Sequence, residues 1–246
     1  MNTVTEVLQA CTIQGNSIKL PPIQLDRNLY LEVKTTLEKI GGKWKGGKTA
    51  AFIFREDPTE PFRDIANGKK RNIKKELQFF ETPPELADRL AELACISGPD
   101  LSILEPSAGQ GAIIHALLRK EPRLNVRCYE LHPAFQAILQ SIESVDVMGA
   151  DFLTSNSSLL YDRIVANPPF SKNQDIDHIT AMYARLKPGG RLVSIASMHC
   201  QFADGTKEKR FRSWVSSLDS QVIELEDKTF RSSGTSASAI VIVIDK

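Results

Sequence analysis

Seven short apolar runs, separated by helical and turn-forming segments, constrain the fold of residues 101–246 more than any other feature of the sequence. Short strands that alternate with helices are typical of a sheet covered by helices on both faces. We therefore predict a doubly wound α/β domain with a seven-stranded, mostly parallel sheet. The runs lie at about 101–105, 126–130, 145–148, 163–167, 191–196, 221–225 and 239–244.

The fourth run ends at two consecutive prolines, Pro168 and Pro169, which Phe170 follows. Because a proline disfavours the helical conformation of the residue before it, we expect Asn167 to be extended at the carboxyl end of the strand. The prolines remove two backbone donors and leave carbonyl oxygens and the Asn167 amide oxygen as neighbouring acceptors. Two acceptors and a ring suit a flat molecule with an exocyclic amine, such as a nucleobase. A polar strand end beside a core phenylalanine would have the same sequence.

The first run leads into a loop of small residues in which Gly109 and Gly111 let a ligand approach the backbone. The next run ends at Glu130, about the position expected for a partner of a ribose diol. A dinucleotide fits poorly, because the third glycine of its fingerprint would fall at Ile114. Glu105 would repel phosphate and attract an ammonium group. A ligand with a ribose, an ammonium group and no phosphate, such as S-adenosylmethionine, therefore fits better.

Charge is divided unevenly along the chain. Residues 1–75 carry fourteen Lys/Arg against eight Asp/Glu, a balance of +6, whereas residues 76–246 carry seventeen against twenty-two, a balance of −5. Such asymmetry is found in nucleic-acid-binding arms, and also in ordinary solvated surfaces. We predict a small basic α+β domain at 1–75, with DNA binding as its hypothetical role, and a catalytic domain at 76–246.

Within the basic segment, apolar residues at helical spacing predict a helix over 29–40 that ends at Gly41. A glycine-rich turn and a strand at 50–54 follow. The turn could bring lysines to a phosphate backbone and a tryptophan to a base; alternatively, the ring covers the small core and the lysines only solubilise it. The candidate DNA contacts in this turn are Lys43, Trp44, Lys45 and Lys48.

A helix is predicted to begin near residue 83. Thr82 and Glu85 have the spacing of a capping box, and Pro83 would occupy the first helical position. Phe79 and Phe80 precede this helix, whose amino-terminal amides favour an anion such as a carboxylate. Helix capping does not explain the aromatic pair, which makes the segment a candidate for ligand binding.

In this order and spacing, the segments from about residue 78 to 246 resemble the class I S-adenosylmethionine-dependent methyltransferases. They resemble most the DNA adenine-N6 methyltransferases, here with an Asn-Pro-Pro-Phe motif. The resemblance implies a Rossmann-like fold with an antiparallel last strand, and S-adenosylmethionine as cofactor. It further implies methyl transfer to the N6 amine of an adenine that has been flipped out of DNA, most often double-stranded DNA. The catalytic residues would be Asn167, Pro168, Pro169 and Phe170.

The resemblance also assigns roles around the cofactor and the substrate. Glu130 would bind the ribose and Asp151 the adenine, although Asp151 could equally cap a turn. The implied cofactor-binding residues are Phe79, Phe80, Thr82, Glu105, Pro106, Ser107, Ala108, Gly109, Gly111, Glu130, Leu131, Asp151, Phe152 and Asn167. The candidate substrate contacts in this part of the chain are Phe170, which would stack on the base, Phe230 in the segment before the last strand, and Lys207 and Arg210.

The expected chemistry agrees with this resemblance. Hydrogen bonds from the adenine amine to the Asn167 side chain and the Pro168 carbonyl would direct the nitrogen lone pair towards the methyl sulfonium. None of the four cysteines follows a proline, so the cysteine mechanism of cytosine-C5 enzymes is not expected. The cysteines also lack metal-binding spacing, and no signal peptide or long apolar run is present. We therefore expect no metal, no membrane association and a cytoplasmic location, near the nucleoid of a prokaryote or in a phage-infected host.

The sequence leaves the substrate class open. Similar Asn-Pro-Pro segments occur in enzymes that methylate guanine N2 of ribosomal RNA or glutamine of release factors. RNA methylation, at guanine N2 or adenine N6, is the main alternative, ahead of protein methylation and of a nucleic-acid-binding module without turnover. Only four residues follow Phe170 before the next helix, and the chain ends soon after the last strand. We therefore expect a short or relaxed recognition sequence, read by residues 1–75 or by the loop His199–Arg212.

Overall fold

The computed structural model describes residues 1–54, 57–69, 71, 81–226, 229–230 and 238–246. The chain divides into two compact units, Met1–Phe79 and Phe80–Lys246; the sequence analysis places the division four residues earlier. Within the described residues, no helix is both long enough and apolar enough to cross a membrane.

The amino-terminal unit is a four-stranded antiparallel sheet packed against helices. Its strand order is β1-β2-β4-β3. Ile18, Val33, Leu37 and Phe52 are fully buried in its core. The helix predicted over 29–40 is present, and its amino terminus is capped by the Asp26 carboxylate. The elements of this unit are α1 Val4–Gln9, β1 Thr12–Gln14, β2 Ser17–Lys19, α2 Arg27–Lys39, β3 Lys43–Lys45, β4 Ala51–Ile53 and α3 Thr59–Ala66.

The prediction of a turn over 43–48 was partly wrong. Lys43–Lys45 forms edge strand β3, paired with Ala51–Ile53, and the chain turns only after Lys45. Trp44 packs edge-on against Phe52 with 5.1 Å between ring centroids, yet it stays 40% exposed. The ring therefore covers part of the small core and also presents apolar surface to solvent.

The second unit contains the predicted seven-stranded sheet, with the order β10-β11-β9-β8-β5-β6-β7. The five strands β9, β8, β5, β6 and β7 lie side by side in that order, and each is parallel to its neighbours. Strand β11 is antiparallel to both β9 and β10. The prediction of a mostly parallel sheet with an antiparallel last strand is confirmed. The elements are α4 Pro84–Leu93, β5 Ile103–Glu105, α5 Ala112–Lys120, β6 Val126–Tyr129, α6 Pro133–Gln140, β7 Val145–Gly149, β8 Tyr161–Ala166, α7 Gln174–Ala184, β9 Leu186–Ser197, α8 His199–Phe202, α9 Thr206–Ser216, β10 Asp219–Glu224 and β11 Ala239–Asp245.

Helices cover both faces of this sheet. Because side chains alternate along a strand, Val165 packs in the apolar cluster that contains α4 and α5, while the preceding Ile164 packs with α7 and α9. Both side chains are fully buried. This burial on two faces explains why the parallel strands read as continuous apolar runs in the sequence.

Strand order reverses beside β5, which pairs with β6 on one side and β8 on the other. The crevice outside the carboxyl ends of two such strands is where ligands bind in open α/β sheets. Residues 105–111 follow β5, and residues 167–170 follow β8. The fold therefore places the glycine loop and the Asn-Pro-Pro-Phe turn at the same edge of the sheet.

Two features of local structure in the second unit differ from what their sequences indicate. Lys187–Gly190 has the Pro-Gly-Gly sequence typical of a turn, but β9 begins at Leu186 and includes these residues as a bulge opposite β8. The bulge stays in the sheet because the Gly189 amide donates to the Lys246 carbonyl and the Lys246 amide donates to Gly190. The expected loop His199–Arg212 instead contains α8 and the first turns of α9.

Candidate active site at the strand switch point

The centre of the candidate site is a hydrogen bond between two residues that lie 85 positions apart. The Asn167 Nδ2 group donates to the Thr82 hydroxyl oxygen over 3.0 Å. Thr82 is 6% exposed, so this contact is largely shielded from water. The bond ties the Asn167 side chain to the segment just before α4.

The predicted capping box at this position is wrong. Helix α4 begins at Pro84, its N-cap is Pro83, and no side chain caps it. Thr82 therefore lies one residue too early to cap the helix, and its hydroxyl is used by Asn167 instead. The sequence has the spacing of a capping box, but a second proline follows Pro83 and the helix begins one residue later than predicted.

The turn after Phe170 has an unusual backbone that is held from outside. Lys172 and Asn173 both adopt left-handed conformations, with φ of 55° and 57°, which costs free energy in residues other than glycine. The Asn173 side chain donates to Glu208 over 2.6 Å, and Lys207 Nζ donates to the Asn173 carbonyl over 3.0 Å. Residues at the start of α9 therefore stabilise the chain just beyond Phe170.

On the other side of the crevice, the glycine loop requires its glycines. Gly109 and Gly111 have φ of 56° and 86°, which favours glycine. The Ala108 amide donates to the Tyr129 carbonyl over 3.0 Å, which ties the loop to the end of β6. Pro106, Ala108 and both glycines are buried. The loop is thus a fixed backbone surface.

Two buried polar atoms in this loop have properties that suit the amino acid end of S-adenosylmethionine. Among the described residues, Glu105 Oε2 and Ser107 Oγ are shielded from solvent and have no hydrogen-bond partner. The pKa of Glu105 is raised well above its ordinary value, mainly because its carboxyl is buried and secondly because the Glu130 carboxylate is near. A cationic ammonium that paired with the Glu105 carboxylate would offset the free-energy cost of ionising it there. The chain's own residues therefore fit the cofactor.

Glu130 follows β6 and holds the glycine loop in place. Its carboxylate accepts from the Gly109 amide over 2.6 Å and from the His132 amide over 2.8 Å. A carboxylate has about four acceptor positions, so these bonds leave capacity for two ribose hydroxyls. Leu131 lies next to it with 68% of its surface exposed, unusually high for leucine, and so offers an apolar face beside the same loop.

Asp151 and Phe152 follow β7, and their environments differ. Asp151 Oδ1 accepts from the Leu153 amide over 2.9 Å, the contact expected of a residue that caps a turn. The Phe152 ring is buried between Tyr129 at 5.6 Å and His178 at 6.0 Å. An open cavity beside them is lined by Tyr129, Met148–Asp151 and Thr154–Ser157. The adenine contact assigned to Asp151 stays a prediction.

The expected substrate contacts occupy different environments. Phe170 is partly buried against the core beside α4 and α5, whereas Phe230 is 3% exposed. Lys207 pairs with Asp177 over 2.7 Å, and Arg210 is exposed. In the amino-terminal unit, Lys43, Lys45 and Lys48 are exposed.

Phe79, Phe80 and residues 231–237 lie outside the described residues. The sequence analysis missed the Thr82–Asn167 bond, because a matching local pattern gave Thr82 another role. It also missed the support of Asn173 by Glu208, for which the sequence contains no signal.

Known methyltransferases are similar to this chain in sequence. The family model described as methyltransferase small domain matches residues 92–214. The type II methyltransferase M.AccI of Acinetobacter calcoaceticus is 28% identical over 120 residues, 47% of this chain and 22% of that protein. The ribosomal RNA small subunit methyltransferase C of Shewanella piezotolerans is 26% identical over 113 residues, 42% of this chain and 33% of that protein. The matched segments are thus about a fifth and a third of these relatives.

Solved structures share the fold. A class I S-adenosylmethionine-dependent methyltransferase of Listeria monocytogenes aligns with a TM-score of 0.56 at 13% identity, covering 76% of this chain and 67% of that one. The M protein of the type I restriction enzyme EcoKI aligns with a TM-score of 0.54 at 15% identity, covering 78% of this chain and 51% of that one. At these identities the alignments establish the architecture.

Proposed function

The chain belongs to the methyltransferase small domain family, and from that premise we propose that it methylates the N6 amine of adenine in double-stranded DNA. The family and the fold imply S-adenosylmethionine as the cofactor. This cofactor supplies an electrophilic methyl carbon on a sulfonium.

The position of Asn167 at the carboxyl end of β8 carries the proposal. Its Nδ2 group donates to Thr82, and its amide oxygen would accept from an amine held in the crevice. The Pro168 carbonyl supplies a second acceptor, and neither proline has an N–H that would compete with the amine. A rigid pair of acceptors at the carboxyl end of β8 suits an exocyclic amine better than a hydroxyl group, which has only one hydrogen to donate.

These acceptors activate a weak nucleophile. The N6 lone pair of adenine is delocalised into the ring, and two hydrogen bonds from the amine to Asn167 and Pro168 localise it on nitrogen. As the new nitrogen–carbon bond formed, the bond between the methyl carbon and sulfur would break and the sulfur would leave as a neutral thioether. Positive charge would develop on the amine, where the same acceptors would stabilise it. One such preorganised contact is typically worth ~3 kcal/mol in the transition state. The extra proton on the methylated amine leaves to water.

The remaining residues position the two reactants. Glu105 and Glu130 would bind the ammonium and ribose groups of the cofactor beside the glycine loop. Phe170 would stack on the base once it has left the duplex, which offsets part of the few kcal/mol that unstacking costs. Asp151 would accept from the adenine amine of the cofactor.

RNA is the second candidate substrate, and a specific observation favours it. Two ribosomal RNA small subunit methyltransferases C match this chain at 26% and 28% identity, alongside the type II methyltransferase. Guanine N2 is also an exocyclic amine on a flat base, so the same acceptors would serve it. The basic balance of residues 1–75 favours a nucleic acid over a protein substrate in either case.

Nucleoside analysis tests the proposal. The protein is incubated with methyl-labelled cofactor and, separately, with duplex DNA, ribosomal RNA and a release factor, and the labelled product is identified. We expect N6-methyladenine in DNA; label only in N2-methylguanine of RNA, or only in glutamine, would contradict the proposal. Sequencing the modified DNA sites then tests the expected short recognition sequence, which a long, strict motif would refute.

The Asn167→Ala variant is the matched control for this experiment. We expect it to lose at least 100-fold in transfer rate, the usual cost of removing one preorganised contact. Its affinity for the cofactor, measured by calorimetry, should stay close to that of the wild type. A large loss of cofactor affinity would mean that Asn167 holds the cofactor and not the substrate.

A further inference from the structure

We propose that Phe202 is a nucleic-acid contact that stacks on a base of the substrate next to the methylated nucleotide. The inference rests on the proposed function for the class of substrate. It assigns a residue that the Asn-Pro-Pro-Phe turn and the cofactor loop do not include.

Phe202 is the most exposed large apolar side chain among the described residues, with 72% of its surface accessible. Two positions earlier, Cys200 is 1% exposed, so helix α8 is anchored in the core while its last residue faces solvent. A phenylalanine in water gives up the stabilisation that burial provides. The exposed ring has an apolar face that can stack on a base.

The backbone on both sides of Phe202 is held rigidly. The Arg212 Nη1 group donates to the carbonyls of Cys200 over 2.8 Å and Ala203 over 2.9 Å. Since these carbonyls flank Phe202, one guanidinium on α9 fixes the segment that presents the ring. A ring on a preorganised backbone loses little conformational entropy when it stacks on a base.

The segment that bears Phe202 lies at the catalytic edge of the sheet. Helix α8 follows the carboxyl end of β9, the strand that is parallel to β8 and adjacent to it. The Ser197 amide at the end of β9 donates to Asp175 over 2.8 Å, at the start of α7. Asn173, in the turn after Phe170, bonds to Glu208 over 2.6 Å. These two contacts connect the Phe202 segment with the Asn-Pro-Pro-Phe turn.

Local charge favours a nucleic acid as the partner of this ring. Residues 198–212 carry four Lys/Arg against two Asp/Glu, a balance of +2, although residues 76–246 as a whole have a balance of −5. Arg210 is exposed, and Lys209 forms an exposed ion pair with Asp204 at 3.2 Å. The other two cations have partners within the protein, since Lys207 pairs with Asp177 and Arg212 donates to two carbonyls. An exposed aromatic ring among cations is the combination that binds a base and its neighbouring phosphates.

The test compares Phe202→Ala, Phe202→Trp and the wild-type full chain in binding to labelled duplex DNA, single-stranded DNA and a ribosomal RNA fragment. We expect Phe202→Ala to weaken binding of the preferred nucleic acid by about 5- to 150-fold, the range for loss of one stacked base. Phe202→Trp should retain or tighten binding. Cofactor affinity and the unfolding temperature should not change in either variant, because the ring is largely exposed.

The salt dependence of nucleic-acid binding distinguishes a stacking contact with a base from a charged contact with a phosphate. Phe202→Ala should lower the affinity without altering the slope of log K against log salt, whereas Arg210→Ala should reduce that slope by about 0.9 if it contacts one phosphate of duplex DNA. Leu159→Ala is the matched control, since Leu159 is 41% exposed and lies before β8, at the opposite edge of the sheet. It should bind as the wild type does.

The possible failures are distinguishable. If the wild type methylates a nucleic acid and Phe202→Ala binds it as tightly as the wild type at every salt concentration, the Phe202 contact is wrong and the proposed function stands. If the wild type neither binds nor methylates DNA or RNA, the proposed function is wrong, and the proposed Phe202 contact is then wrong too.

Discussion

At the scale of single residues, the candidate site depends on buried polar groups whose partners come from distant parts of the chain. The Thr82 hydroxyl accepts from the Asn167 amide, and Glu105 places a buried carboxyl at the end of β5. Thr82 and Glu105 were both predicted as site residues from the sequence. The bond of Thr82 to Asn167 was not predicted, because a hydrogen bond between residues 85 positions apart leaves no local sequence pattern. A capping box, in contrast, has such a pattern.

Replacing Thr82 tests its role as a positioning residue. Thr82→Val has nearly the same shape but lacks the acceptor for Asn167 Nδ2, so the amide is no longer held in one orientation. We expect the single-turnover rate of methyl transfer to fall about 10-fold, the equivalent of one ordinary hydrogen bond, while cofactor affinity is kept. Thr82→Ser should restore the rate. An equal loss in both variants would indicate a packing role instead.

Glu105 should make the stability and the cofactor affinity depend on pH in opposite directions. Its pKa is raised above the ordinary value of about 4.3. The protonated carboxyl is therefore favoured on folding, and its contribution to the free energy of unfolding is lost as pH rises through the folded-state pKa. Cofactor affinity should rise over the same interval, because the ammonium pairs with the ionised form.

Titration calorimetry and thermal unfolding between about pH 5 and 8 check this expectation. Glu105→Gln without cofactor should be more stable than the wild type at the upper end of the range, and its cofactor affinity should be low and nearly independent of pH. Glu143→Gln, which changes an exposed acid, serves as the control. Parallel pH profiles of the wild type and Glu105→Gln would exclude the assigned role.

At the scale of elements, the strands were predictable and their exact limits were not. Each predicted strand of the second unit is present within a few residues. The central strands are buried on both faces, which gives the continuous apolar runs that predict them, whereas edge strand β10 is largely exposed. Pro-Gly-Gly in Lys187–Gly190 is a strong turn signal, yet pairing with Lys246 retains this segment in the sheet. The antiparallel last strand followed from the resemblance to a family, not from the pattern of apolar residues.

The junction between the glycine loop and helix α5 offers a test at this scale. In Gly111→Ala, a Cβ would lie 3.2 Å from Leu139 Cδ2 on a backbone with φ of 86°. We expect a decrease of about 1–2 kcal/mol in the free energy of unfolding, or roughly 2–8 °C in unfolding temperature, and weaker cofactor binding. Gly98→Ala, where nothing lies within 4 Å of the added Cβ, should have no effect on either quantity.

At the scale of the whole molecule, the two units divide charge as well as structure. The basic residues of the amino-terminal unit include Lys43 and Lys45, exposed on edge strand β3 beside the half-exposed Trp44. The sequence predicted this charge balance and helix α2. It did not predict strand β3, because the glycines on both sides of Lys43–Lys45 indicate a turn.

Removing the basic segment tests its contribution to binding. A variant without residues 1–70 should bind DNA more weakly and with a flatter salt dependence, while cofactor affinity stays unchanged. Full-length protein with Lys43, Lys45 and Lys48 replaced by alanine should show part of the same effect, a decrease of about 0.9 in slope for each phosphate that the side chains no longer neutralise. An unchanged slope in both variants would show that this unit has no role in DNA binding.

Strand β10 reaches the sheet only through β11, which is inserted between it and β9. Because β11 follows β10 in the chain, β10 has no partner in the sheet until β11 has paired with β9. A chain that stopped before β11 would leave the edge of β9 unpaired and open to association with other chains.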